Sequence, residues 1–141
     1  MIGDILHKLL LEQLLLETVS RNNIIDAISN FKGVVIYYDG DHVIKKGWRT
    51  IYPFVYGKNK WGNDSVRAFQ MKGPSDSEDQ PMWRMFRVDR IKSWYPSKER
   101  FNLSTHPDIL KYYNPGDKDM MNIYFNVKLP RDINRYKKLT K

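Results

Sequence analysis

Met82-Trp83-Arg84-Met85-Phe86-Arg87-Val88-Asp89-Arg90-Ile91 is the stretch on which the fold of this chain turns. Side chains of a strand alternate between its two faces, so Phe86 and Val88 point one way and Arg87 and Asp89 the other. Phe86, Val88 and Ile91 then supply core, provided the strand bends near Arg90. It is the longest strand the sequence predicts. Its charged face has two readings. Arg87 and Asp89 form a solvated face, or Asp89 pairs with an arginine to hold a barrel closed. Alternatively, Arg87 and Arg90 present guanidinium forks, which match phosphate oxygens two at a time and stack on bases.

Outward from this stretch the texture stays that of short strands. Residues 34–38 (Val-Val-Ile-Tyr-Tyr) are β-branched and aromatic and end at the turn Asp39-Gly40-Asp41. A second strand is expected over 49–56, bent or at an edge at Pro53, which has no N–H for a ladder. Residues 57–63 read as a polar loop, and 66–71 alternate inward and outward. Residues 72–81, rich in Gly, Pro, Ser and Asp, read as a mobile loop. Downstream, 93–96 lead out of the long strand, 97–120 have few periodic signals, and 121–129 alternate again with Ile123, Phe125, Val127 and Leu129 on one face.

Ahead of the strands, apolar residues from Ile2 to Val19 recur with a 3.6 period and a broad apolar face, which predicts an amphipathic leucine-rich helix. Asn22 or Asn23 caps a second helix over 24–31, with Lys32-Gly33 as its stop. The expected organisation is a helix in 1–21, a β domain with its leading helix in 22–101, and an extension in 102–141 with a strand and a basic tail. Two helices followed by about five closely spaced strands give an α+β, mainly β class, with a small barrel or highly curved sheet.

Composition sets bounds on function. The chain has 141 residues, 41% of them apolar and 13% aromatic, enough for one buried core. It has no cysteine, which removes disulfides, thiolate chemistry, Cys-ligated zinc and iron–sulfur clusters. No apolar run approaches the roughly 20 residues a spanning helix needs, and the charges that interrupt the apolar N-terminal segment argue against a secretory signal. The Asn-x-Ser matches at Asn63 and Asn102 are taken as chance. The net charge of +8 lies entirely in the second half: residues 1–80 hold 10 basic and 10 acidic side chains, residues 81–141 hold 14 and 6. Such asymmetry points to an anionic partner. His7, His42 and His106 lack metal-ligand spacing, and no nucleophile elbow, phosphate loop or dinucleotide fingerprint is present. A non-enzymatic protein without a cofactor or bound metal is expected.

Phe86-Arg87-Val88-Asp89-Arg90-Ile91 resembles the Phe-Arg-Leu-Asp-Arg-Ile signature of the WYL domain family, with Val88 in the Leu position. Other features fall in the family's order: a helix before a first strand ending in Tyr37-Tyr38, an Arg-x-Ile-x-Pro-aromatic strand (Arg49, Ile51, Pro53, Phe54), a loop with Gly62, and Ala68-Phe69 where the family has Ala-Tyr. The resemblance covers roughly residues 24–101. Asp64, Ser65 and Val66 stand where the naming residues fall, Tyr52 replaces an acidic residue, and no helix-turn-helix precedes the domain. The resemblance implies a small Sm-like, SH3-type β-barrel that senses a ligand, binding single-stranded nucleic acid or a nucleotide-type ligand through a basic groove. It implies Arg87 and Arg90 as contacts, with Tyr37, Tyr38 and Arg67 beside them.

The residues themselves add Arg49, which opens the second strand beside Trp48, and Trp83, one of several aromatics interleaved with the basic set and suited to base stacking. Arg131, Arg135, Lys137, Lys138 and Lys141 of the tail add phosphate contacts or form a solvated tail. The expectation is a regulatory binding module of the cytoplasm, in a bacterial cell or, if phage-encoded, in its host. The N-terminal helix is the surface for self-association or a protein partner. The competing expectation is a structural or adaptor protein, for example a phage component of the virion, that keeps the barrel as a scaffold and assembles through that helix.

Overall fold

A computed structural model describes residues 3–8, 19–72, 82–103, 109, 113 and 117–129. Residues 3–8 are helical. Residues 1–2 and 9–18 of the expected N-terminal helix, residues 73–81 of the loop expected over 72–81, and the basic tail lie outside the described residues. The second helix is Arg21–Ser29. Its cap is Ser20 rather than Asn22 or Asn23: the Ser20 hydroxyl oxygen accepts the N–H of Asn23 at 3.1 Å, as effective a cap as asparagine. The helix ends at Asn30, and Phe31 at φ 52° turns the chain into the first strand. Ile24, Ala27 and Ile28, spaced to share one helical face, are buried against the sheet.

Six strands follow: β1 (Lys32–Tyr38), β2 (Gly47–Asn59), β3 (Asp64–Lys72), β4 (Met82–Arg87), β5 (Ile91–Arg100) and β6 (Met120–Asn126). All pair antiparallel in the order β4-β3-β2-β1-β5. The 13-residue β2 organises the sheet. One of its edges pairs with β3 from Thr50 to Lys58. The other pairs first with β1, up to Ile51, and then with β6, from Val55 to Asn59. Pro53 sits inside this central strand, where the β3 ladder shifts register between Pro53 and Val55. A register break is where a central strand tolerates a residue without an N–H.

Three sequence expectations are corrected here. The strand over 82–91 is two strands: a single 3-10 turn, Val88–Arg90, separates β4 from β5. β5 then continues to Arg100, where only an exit over 93–96 was expected. The loop expected over 57–63 starts later, because β2 runs to Asn59 with its C-terminal half held by both β3 and β6. No rung joins β4 to β5 among the described residues, so the pairing gives a mainly β antiparallel sheet that is not closed, not the expected barrel. The sheet is nonetheless strongly curved, since its two outermost strands are linked by three residues.

One side of the sheet is buried, and the other is covered in part. Val34, Ile36, Tyr38, Ile51, Val66, Ala68, Phe86 and Ile91 are buried and, through their cross-strand pairing, share one side. On the other side Trp83 packs edge-on against Phe54 and Phe69 and stacks with Tyr113, at ring separations of 5.0, 5.5 and 5.6 Å. Ile109, Tyr113, Met120 and Val127 therefore tie the C-terminal extension into the core.

Candidate functional site

The candidate site forms where the β1–β2 loop (39–46) meets the β4–β5 turn. Backbone hydrogen bonding joins them: the Asp39 N–H donates to the Arg90 carbonyl at 2.8 Å. Tyr38 locks them further. Its hydroxyl accepts the Arg87 N–H at 3.0 Å and donates to the Asp41 carboxylate at 2.5 Å. The other Asp41 oxygen accepts the N–H groups of Val43 and Ile44, both at 2.7 Å. Burial, then the bond to Asp41, pushes the Tyr38 phenol well above its usual value. Burial also pushes Asp41 upward, but its hydrogen bonds from Tyr38, Ile44 and Val43 outweigh that and hold it below the carboxylate range. The sequence marked 39–41 as a turn and gave no signal that Asp41 anchors the loop.

Two adjoining hollows open at this junction. The first, about 320 Å³, is bordered by Arg87, Arg90, Lys45, Lys46, His42 and Asp39 among others. The second, about 610 Å³, is bordered by Trp61, Trp83, Met85, Val43, Arg67 and Arg87 among others. Asp41, His42, Ile44 and Arg87 line both, so Arg87 stands on the ridge between a cationic hollow and an aromatic one. Trp61, 66% exposed, stands at the second hollow with the Lys60 ammonium 4.7 Å from its ring centre.

The charges have intramolecular partners. Arg87 holds Asp89 in a two-point ion pair, 3.0 Å from Nε and 2.8 Å from Nη2, which raises its pKa. Asp89 is 62% exposed, so this pair is screened by water and contributes of order 1 kcal/mol or less. Of the two roles the sequence left open for Asp89, this is local pairing two residues away rather than a clasp across the sheet. Arg90 lies 4.0 Å from Asp39, and its buried Nε has no hydrogen-bond partner among the described residues, nor has the Trp83 indole Nε1.

The remaining sequence candidates fall elsewhere. Arg67 reaches the wall of the larger hollow but is held by Asp117 through Nε (2.8 Å) and Nη2 (3.2 Å), with Asp119 at 3.3 Å. Arg49 is not at a basic surface: it is 2% exposed, donating to Gln70 at 2.6 Å and to the Lys45 carbonyl. Its position in β2, opposite Ile36, turns it into the sheet. Tyr38 is fully buried, so its role is to fasten the loop, not to meet a ligand. Tyr37 faces the opposite side of β1, half-buried, its ring edge-on to Trp48 at 5.2 Å. Trp83 borders the larger hollow. Arg87, Arg90, Arg67 and Trp83 are thus brought together, and Arg49, Tyr37 and Tyr38 are not. Trp61, one of the aromatics interleaved with the basic set, and Lys45 and Lys46, expected as ordinary solvated turn residues, also border the hollows; the aromatic-after-Lys pair Lys60-Trp61 was the available signal.

Among the described residues no three histidine or carboxylate side chains cluster as a metal site, and no helix is long and apolar enough to cross a membrane.

No family model and no curated protein matches this chain. A solved structure does. The chain is similar to proteasome accessory factor B/C (PafBC) of Arthrobacter aurescens, with 16% identity and a TM-score of 0.39, over 67% of this chain and 14% of PafBC. This chain therefore spans a small part of that protein's length. The family resemblance of residues 86–91 rests on those residues themselves.

Proposed function

We propose that this protein is a non-enzymatic, WYL-like binding module, built on a curved sheet of SH3-type character, that recognises single-stranded nucleic acid or a nucleotide-type ligand and passes that state to a partner. The observation that carries the reading is the position of Arg87 between two hollows of unlike chemistry. A phosphate in the smaller one meets Arg87, Arg90, Lys45 and Lys46, and a base in the larger one meets Trp61 and Trp83. The solvent-screened pairing of Arg87 with Asp89 and the long approach of Arg90 to Asp39 leave both guanidinium groups open to exchange a carboxylate for a phosphate.

The test is fluorescence anisotropy with short labelled oligonucleotides at low and moderate salt. The wild-type chain binds, and binding weakens as salt rises because each phosphate contact releases a counterion. Replacing Arg87 and Arg90 together with Ala weakens it by about tenfold or more. Absent binding, or affinity indifferent to the double substitution, contradicts the proposal.

A second reading, an adaptor that assembles through its N-terminal helix, has one observation in its favour: Ile5 and Leu6 are 60% and 55% exposed. Sedimentation separates the two. A chain lacking residues 1–18 keeps oligonucleotide binding under the first reading. Self-association lost on that truncation, with no oligonucleotide binding in either form, supports the second.

A further inference from the structure

The turn that joins β2 to β3 holds two side chains at the edge of the larger hollow. Asn59 closes it: its Oδ1 accepts the N–H groups of Trp61 at 3.1 Å and Asn63 at 2.9 Å, and its Nδ2 donates to the Ser65 hydroxyl at 3.1 Å. The Asn59 N–H donates to the Asn63 carbonyl at 2.9 Å, and the Gly62 N–H to the Asn59 carbonyl at 3.0 Å. Gly62 sits at φ 88°, which glycine adopts without steric cost. The side chain of Asn59 is thus spent on the turn. Asn63 is the opposite case. Its N–H and carbonyl are bonded, while its side-chain carboxamide has no hydrogen-bond partner among the described residues. Trp61 and Asn63 both border the larger hollow.

Resting on the proposed function, we infer that the larger hollow selects adenine: Trp61 stacks on the base and the Asn63 carboxamide reads its edge. A carboxamide offers a donor and an acceptor side by side. Adenine answers with an acceptor and a donor on both of its exposed edges, N7 with N6 and N1 with N6, and the N6/N7 pair is the one asparagine reads in nucleic-acid complexes. Each pyrimidine has one such edge and a smaller ring to stack. Guanine calls for other residues. Its donors at N1 and N2 suit a carboxylate, but the two carboxylates that border the hollow are taken. Asp41 accepts from Tyr38, Val43 and Ile44, and Asp119 holds Lys60 and Arg67. Its acceptors at O6 and N7 suit an arginine, but Arg67 is held by Asp117 and Arg84 is buried. Arg87 is committed to the phosphate. The ligand class is therefore an adenine nucleotide unit, within a strand or free.

The experiment uses the full chain and fluorescein-labelled dodecamers of deoxyadenylate, thymidylate and deoxycytidylate, with a fourth in which purine, lacking the 6-amino group, replaces adenine. The adenylate oligomer is expected to bind about tenfold more tightly than the other three. Asn63→Ala and Asn63→Leu are each expected to bring it down to the affinity of thymidylate. Thymidylate affinity and its slope against salt stay as in wild type, because no charge is removed, and this shows that the variants are folded. Adenosine 5′-monophosphate as competitor separates the two sources. It displaces the adenylate oligomer, where thymidine 5′-monophosphate does not, if the site takes a free nucleotide, and neither does if it takes a strand; the adenine assignment holds in both cases. Equal affinity for adenylate and thymidylate, a preference for a pyrimidine, or a preference that survives in Asn63→Ala overturns the assignment and leaves the proposed function standing. A wild-type chain that binds none of the oligomers overturns both.

Discussion

Removing the hydroxyl of Tyr38 strands two groups at once, the Arg87 N–H and one oxygen of Asp41. Tyr38→Phe is expected to cost about 1–3 kcal/mol, read from the shift in urea midpoint, and to loosen the loop over 39–46 that walls both hollows. The pH dependence follows from the same bond. Asp41 has a lowered folded pKa, so its contribution is present above the unfolded carboxylate value of about 4 and is lost as pH falls through the folded value. Tyr38 has a raised one, so its contribution is complete below about 10 and is lost as pH rises beyond. Tyr113, pushed up to about 12 chiefly by burial, titrates on the same alkaline limb. Urea stability measured against pH should therefore form a plateau between these limits, and Tyr38→Phe should flatten part of both limbs. Unchanged limbs in the variant would remove Tyr38 from this role. Arg67, at the wall of the larger hollow, is also the clasp on the C-terminal extension. Asp117→Asn is expected to destabilise the chain by about 2 kcal/mol through loss of charge-assisted bonds, with oligonucleotide affinity little changed.

Among the elements, β2 bears most of the architecture. Gly57 lies where β6 crosses closest: a Cβ there would collide with the Asn122 carbonyl and the Ile123 Cα, both backbone atoms that cannot rotate aside. Gly57→Ala is expected to cost about 1–3 kcal/mol and to release β6 first, seen as early amide exchange over Met120–Asn126. Exchange unaltered there would mean the strand shifts to make room. This contact explains why parts of the fold were legible and others not. Residues 34–38, 66–71 and 121–129 carry local strand signals, and each lies within or near an observed strand. The break at Val88–Arg90 was not legible, because a 3-10 turn of three residues leaves the apolar alternation of its flanks intact. The extra length of β2 was not legible either, because Gly57, Lys58 and Asn59 read as loop until β3 and β6 flank them. The cap went to Ser20 over Asn22 and Asn23 because all three side chains suit the position and only the packing of Ile24, Ala27 and Ile28 selects among them.

For the whole molecule, charge asymmetry raised the expectation of an anionic partner, and the resemblance of residues 86–91 raised the expectation of its contacts. Arg87, Arg90 and Trp83 border the hollows, while Arg49 and Tyr38 lie in the interior. Nothing in a local pattern tells a buried arginine from an exposed one at a strand's start: Arg49 is enclosed because Gln70, twenty-one residues away, comes to meet it. Nor does sequence reveal that Arg67 meets Asp117 across fifty residues. The account as a whole depends on Arg87 and Arg90 giving up carboxylates for phosphate. The most direct measurement is a nitrogen-15 NMR titration of the arginine Nε–H signals with a short thymidylate oligomer. The account predicts that the signals of Arg87 and Arg90 shift together and saturate, while that of Arg67 stays in place on Asp117. Movement of neither, at oligomer concentrations that saturate binding, would contradict it.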